Sequence, residues 1–277
     1  MIDLHTHTTA SDGLCTPDEL VARAAAAGVT VLGVTDHDTA AGCDAAAAAC
    51  ASARIEFVPG IEITAVRDGV DVHVLGYFVD AHDEALLTFL AEQRARRIER
   101  VRLMIDRLAD CGVELDADAI LTPAHADASR SAGRPWIARA MVDRGIVPTT
   151  RDAFDAWLSR GRPGYVPRLA ADPADVIDKI HGAGGIASLA HPGLLRRDGW
   201  IPSLADAGLD AIEAYYTEHD SEQTRQYVEL ASRLGLATSG GSDYHGDRSH
   251  GAPAPGAATL PRDAFDALRA RQRRIRR

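Results

Sequence analysis

The sequence predicts an α/β protein built as a closed or nearly closed barrel of seven strands, carrying an α-helical insert. Three observations support this. Seven short β-rich runs recur, at 2–5, 31–35, 57–63, 70–78, 186–190, 211–215 and 237–239. Helical patterns stand between them, which argues for a parallel sheet. From 83 to 164 the alternation stops and only helical patterns remain.

Taken in order, the first run ends at His5 and the second at Asp36-His37-Asp38. Between them a helix over 17–27 is expected, with Thr16 as cap, Pro17 at the first helical position and Asp18 and Glu19 in the first turn. The third run carries Glu62 and the fourth His73. A long charged helix over 84–111 then opens the insert, its arginines between 94 and 102 read as a solvated face, with shorter helices over 134–143 and 150–159. This divides the chain into a barrel, 1–82 with 165–277, and an insert, 83–164. A helix opening at Asp172-Pro173 and ending near Gly182 leads to the fifth run and His191-Pro192. The sixth run is followed by a helix over 221–234, and the seventh runs into Gly240-Gly241-Ser242-Asp243-Tyr244-His245. Basic residues from Arg269 to Arg277 read as a charge-rich helix end.

Composition narrows the function. With 30 Lys+Arg against 40 Asp+Glu the net charge is −10, so a phosphate ligand needs a local positive site and no stable nucleic-acid complex is expected. No apolar run is long enough to span a membrane, and the N-terminus does not read as a signal peptide. Cys15, Cys43, Cys50 and Cys111 form no metal-binding spacing and read as core fillers of a cytoplasmic protein.

The chemistry lies in the histidines. His5 and His7 alternate on one strand end, so both imidazoles aim to one side. His37, His191 and His245 sit at or just beyond other strand ends, and His73 lies within a strand. Asp12, Glu62 and Asp243 join them. Strand ends of a parallel barrel share one rim, so these groups converge, and divalent cations are what stabilise such a gathering. His82, His125, His181 and His250 are read as structural or surface residues.

His5-Thr6-His7, Ser11-Asp12-Gly13, Thr35-Asp36-His37-Asp38, Gly60-Ile61-Glu62, Ala190-His191-Pro192 and Gly241-Ser242-Asp243-Tyr244-His245 resemble the polymerase and histidinol phosphatase (PHP) family. The resemblance implies a distorted (β/α)7 barrel with two to three metals. It implies one held by His5, His7, Glu62 and Asp243, a second by Glu62, His73 and His191, and a third between Asp12, His37 and His245. Many members carry a histidine where this chain has Asp12. The harder carboxylate favours Mn²⁺, with Fe²⁺, Zn²⁺ and Mg²⁺ as alternatives. Together with Asp12, the segments Gly133-Arg134-Pro135, Tyr165-Val166-Pro167 and Ala190-His191-Pro192-Gly193 resemble the branch of 3′,5′-nucleotide bisphosphate phosphatases and short-RNA 5′→3′ exonucleases, though that branch carries a histidine at the position of Trp136.

This reading expects a water held between metals by Glu62 and Asp243 as nucleophile, with Asp3 and Asp36 orienting ligand histidines. His219 is a candidate proton donor to the leaving group. A second phosphate calls for forked cations, for which Arg134, Arg168 and Arg130 are candidates, with Tyr165 and Trp136 available to stack on a base. The expected activity is removal of the 3′-phosphate from a 3′,5′-nucleotide bisphosphate. The alternatives, in order, are 5′→3′ exonuclease action on short RNA, a histidinol-phosphate-type phosphatase, and a non-catalytic metal-binding regulator.

Overall fold

Short strands buried on both faces, as over Val31–Val34 and Ile186–Leu189, suit a sheet closed on itself and covered by helices outside. In the computed structural model, which describes residues 1–246 and 252–275, seven strands form one sheet in chain order. They are β1 (Ile2–Asp3), β2 (Val31–Val34), β3 (Glu56–Arg67), β4 (Val70–Tyr77), β5 (Ile186–Leu189), β6 (Ala211–Tyr216) and β7 (Ala237–Gly241). Leu4 N–H donates to Gly240 O (3.1 Å) and His7 N–H to Tyr244 O (3.0 Å), joining the chain beyond β1 to β7 and nearly closing the barrel.

The sheet is not wholly parallel. β3 and β4 form an antiparallel hairpin with register from Gly60↔Tyr77 to Arg67↔Val70, and β4 is antiparallel to β5 as well. The cause is local: Asp68 (φ 51°) and Gly69 (φ 69°) both adopt the left-handed conformation that a two-residue hairpin requires. As a result His73, opposite Thr64, reaches the rim where the parallel strands end.

The helices are α1 (Pro17–Ala27), α2 (Cys43–Ala53), α3 (Glu84–Asp110), α4 (Ala117–Ala126), α5 (Arg134–Asp143), α6 (Thr150–Ala153), α7 (Pro173–Gly182), α8 (Pro192–Leu195), α9 (Ile201–Asp206), α10 (Ser221–Arg233) and α11 (Arg262–Ile275). Sequence reading had no α4, whose start is marked by Asp116 accepting from Ala119 N–H. The expected helix over 150–159 is α6 continued as a π-turn, Phe154–Leu158. Val101, Met104, Leu108, Leu121, Ile137 and Met141 make an apolar cluster of α3, α4 and α5, whereas Leu86 and Leu90 pack with Val176 and Ile177 of α7. The first half of α3 therefore joins the core around the strands and its second half a separate apolar cluster.

At the far end of the barrel, Phe265 and Leu268 of α11 pack with Leu4, Leu75 and Ile186. Arg271 pairs with Asp210 (2.8 Å) and Arg269 with Glu56, so this basic helix is docked by ion pairs. Cys15, Cys43 and Cys50 are buried, and burial pushes the Cys43 and Cys50 thiols up to about 12 and about 11, as inert core residues; Cys111, at the exposed end of α3, is not the core filler expected. Among the described residues no helix is long and apolar enough to cross a membrane. His250, Arg276 and Arg277 lie outside the described residues.

Candidate metal centre

Three backbone links bring the rim together. Asp243 N–H donates to His5 O (2.8 Å), Asp38 N–H to Glu62 O (2.9 Å), and Ala190 N–H to His73 O (3.0 Å). The approach of the His5 strand to Gly241 is so close that a Cβ there would lie 2.3 Å from His5 N, which is why glycine stands at that position.

The nine candidate donors fall into three overlapping groups. His5 Nε2, His7 Nε2, Glu62 Oε2 and Asp243 Oδ1 form the first. His5–His7 is 3.1 Å, His5–Glu62 3.3 Å, His5–Asp243 3.2 Å, His7–Glu62 3.2 Å and His7–Asp243 3.1 Å. The second centres on Glu62 Oε1, 2.7 Å from His73 Nδ1 and 3.2 Å from His191 Nε2. His37 Nδ1 also approaches Glu62, 3.2 Å from Oε2. In the third, Asp12 lies 3.4 Å from His245 Nε2, 3.9 Å from His37 Nε2 and 3.9 Å from His7 Nδ1. His7 thus borders the first and third groups, and His37 the second and third.

The first group fits a cation by its own geometry. Five of the six edges of a four-atom figure lie between 3.1 and 3.3 Å. The centre of such a tetrahedron is about 2.0 Å from each corner, the bond length of imidazole nitrogen and carboxylate oxygen to a transition metal. His5 Nδ1 faces the Glu213 carboxylate at 2.9 Å, which fixes its proton there and turns the Nε2 lone pair inward. Two imidazoles and two carboxylates drawn this close around one point are the donor set that a divalent cation takes once it displaces the ring protons.

Electrostatics agree. Burial works against the charged form of every group here. Even so, His37, His73 and His5 hold Glu62 well below the carboxylate range, and His5 and His245 do the same for Asp243. Against the same burial cost, Asp243 and Glu62 draw His7 up to about 10. His37 is driven down, chiefly by burial.

Beside this centre lies a cluster of largely buried guanidinium groups. Arg168 sits 3.4 Å from Asp71 and 3.9 Å from Asp38, and Arg134 is 3.8 Å from Asp71. Arg97 and Arg100 of α3 complete it. Arg97 pairs with Asp38 and donates to Thr64 Oγ1 (2.9 Å), while Arg100 donates to Val166 O (2.8 Å). Four guanidinium groups face two carboxylates, and Arg100 Nη2 is buried without a hydrogen-bond partner. Burial and neighbouring arginines lower Arg168 to about 9 and Arg100 to about 10. The expectation that the arginines from 94 to 102 form a solvated face is therefore corrected. Arg97 and Arg100 are buried, and Arg94 reaches inward to Asp38 O (3.0 Å).

Other expectations change too. Asp3 accepts from Ser242 N–H, the Ser242 hydroxyl and Gly256 N–H, and Asp36 from Thr8 N–H and the Thr8 and Ser11 hydroxyls. Neither touches an imidazole: both brace the loops that carry donors. The residue that orients a ligand-type histidine is Glu213, which sequence reading missed. His219 is no free acid, since its Nδ1–H donates to Ala214 O (3.0 Å) and its Nε2 accepts from Gly193 N–H (3.2 Å). Arg130 lies over Trp136 (5.7 Å), whose indole donates to Ser11 O (3.2 Å), rather than with the arginine cluster. The Tyr165 ring lies under Arg100 (5.6 Å).

A PHP domain model matches residues 3–107. The chain is 37% identical over 250 residues to the 5′-3′ exoribonuclease Rnm of Salmonella typhimurium, covering 88% of this chain and 84% of that one. It is 36% identical over 251 residues to a 3′,5′-nucleoside bisphosphate phosphatase of Chromobacterium violaceum, covering 88% and 87%. A solved structure from Bifidobacterium adolescentis, described as a metal-dependent phosphoesterase, superposes with a TM-score of 0.88 at 32% identity, covering 97% and 95%.

Proposed function

The chain belongs to the PHP family and is a metal-dependent phosphoesterase, and on that premise we propose that it removes the 3′-phosphate of a nucleoside 3′,5′-bisphosphate, leaving the nucleoside 5′-monophosphate. The observation that carries this is the buried excess of guanidinium groups next to the donor groups. A single phosphate can be held by a metal centre, so a second pocket of Arg97, Arg100, Arg134 and Arg168, only partly neutralised by Asp38 and Asp71, is explained by a second phosphate on the same substrate.

In this reading His5, His7, Glu62 and Asp243 hold one divalent cation, Glu62, His73 and His191 a second, and Asp12, His37 and His245 a third. Asp12 makes Mn²⁺ the preferred occupant, ahead of Fe²⁺, Zn²⁺ and Mg²⁺. Bound there, divalent cations polarise phosphoryl oxygens and lower the pKa of water. The chain's own groups supply the rest. Glu62 and Asp243, kept ionised by surrounding histidines, hold the attacking water in place. The arginine pocket seats the 5′-phosphate and so fixes the 3′-phosphate at the donor rim. Asp38 and Asp71 keep the four guanidinium groups from repelling one another when no ligand is bound. Cys43, Cys50 and Cys111 as free thiols suit the cytoplasm.

A second reading, 5′→3′ exonuclease action on short RNA, is favoured by the identity to Rnm and by a groove of about 420 Å³ between α4 and α5. Leu115, Ile120, Pro123 and Trp136 line it, and Arg139 on its wall donates to Asp12 O, so it adjoins the donor loop and is large enough for a further nucleoside. Arg269 and Arg271 of α11 do not add to this reading, since both are tied to the barrel. Phosphate release from adenosine 3′,5′-bisphosphate, compared with nucleotide release from a 5′-phosphorylated trinucleotide in Mn²⁺, decides between them. Faster turnover of the trinucleotide would reject the phosphatase reading.

A further inference from the structure

Strand β6 contributes none of the candidate donors, yet two of its side chains hold three of them. Glu213, with no solvent exposure, points into the barrel. Its Oε1 accepts from His5 Nδ1–H at 2.9 Å, and its Oε2 accepts from the His191 backbone N–H at 2.7 Å. A register shift between Glu213 and Tyr215 in the pairing with β7 then turns Tyr216 inward. The Tyr216 hydroxyl donates to Asp243 Oδ2 (3.1 Å), leaving Oδ1 to face His5 and His7. His191 (φ 27°) and Asp243 (φ 55°) both hold left-handed backbone conformations that non-glycine residues rarely adopt, so something outside their own segments must fix them.

We infer that Glu213 is a positioning residue that ties the first donor group to the second, one carboxylate setting the His5 tautomer and the His191 backbone together. The inference rests on the reading of these groups as metal sites. Only an ionised carboxylate serves both partners, because each requires an acceptor. A glutamine offers one oxygen and one NH₂. The His191 peptide N–H cannot surrender its proton, so the oxygen goes there and the NH₂ faces His5 Nδ1. His5 then moves its proton to Nε2, and the lone pair facing His7, Glu62 and Asp243 is lost. The side chain keeps its shape, so the defect falls on metal affinity rather than on the fold.

The test uses the full-length protein with Zn²⁺ as a diamagnetic probe. Chelator competition on wild type, Glu213→Gln and Tyr216→Phe is paired with ¹⁵N spectra of the histidine rings in the Zn²⁺-loaded proteins. We expect Glu213→Gln to bind Zn²⁺ some 10- to 100-fold more weakly at one or more sites, with His5 protonated at Nε2. Tyr216→Phe should leave the His5 tautomer at Nδ1–H. A folded Glu213→Gln that binds Zn²⁺ as tightly as wild type overturns the inference while leaving the metal reading intact. Should that variant not fold, the wild-type spectrum decides alone, since a His5 protonated at Nε2 contradicts the assignment and one protonated at Nδ1 supports it. A wild type that takes up no Zn²⁺ overturns the metal reading and this inference with it.

Discussion

Replacing Arg168 by alanine tests the two-phosphate reading directly. Its guanidinium sits between Asp71 (3.4 Å) and Asp38 (3.9 Å), and the pocket as a whole sets four positive groups against two negative ones. Removing it halves the net positive charge of the pocket and leaves Asp71 to repel a bound anion. One unit charge at about 4–5 Å, in the effective dielectric found near protein surfaces, is worth about 3–4 kcal/mol before screening, and roughly 2–4 kcal/mol is a fair range for losing a fork of charge-assisted hydrogen bonds. That corresponds to a KM for adenosine 3′,5′-bisphosphate raised about 30- to 1000-fold. An aryl phosphate has no second phosphate to seat, so its kcat and KM should remain within about threefold of wild type. Steady-state kinetics on both substrates, with a thermal melt to establish folding, make the comparison. Equal losses on the two substrates, or no loss on either, would refute the assignment of this pocket to a second phosphate.

Further outcomes follow from other parts of the molecule. Asp243→Ala and His37→Ala should each abolish phosphate release while preserving the circular dichroism spectrum; near wild-type rates in either would reject the donor assignment. Stripping metal with a chelator should stop turnover and lower the melting temperature, because a ligand held at about 100 times its Kd contributes about 2.7 kcal/mol to the folded state; re-addition of Mn²⁺ should restore both, as read by calorimetry and phosphate release. At the opposite end of the barrel, burial would raise the Asp210 carboxyl, but His181, the Ala187 N–H and Arg271 hold it below the usual range. Its contribution is therefore complete above the unfolded carboxyl value of about 4 and is lost as pH falls through the lower folded value. Asp210→Asn should cost about 1–3 kcal/mol at pH 7, with the gap from wild type closing in acid denaturation below about pH 4.

Much of the donor set is legible in the chain because strand ends are legible. Short apolar runs close on His5, His37, His191 and the segment to His245, and a barrel requires such ends to meet. The Asp68-Gly69 pair also carries its own meaning, since both residues tolerate the left-handed turn of a hairpin. The sequence reading instead took helical alternation as its guide and expected a parallel strand. Arg97 and Arg100 were hidden for a different reason. In a helix bearing so many charges, nothing in the periodicity separates an arginine facing water from one facing a phosphate pocket.

By itself, then, the sequence determines which residues can donate to a cation, because that depends on side-chain chemistry and on local strand boundaries. Tertiary structure alone decides what supports them. Glu213 reaches His5 across 208 residues of chain, in the middle of a strand with no motif around it, and only closure of the barrel brings the carboxylate to the imidazole. The excess of positive charge in the arginine pocket is likewise a sum over α3, α5, the segment at Arg168 and two carboxylates on other elements. Such a sum has no local signature, because Coulomb interactions depend on distance in space and not on separation along the chain.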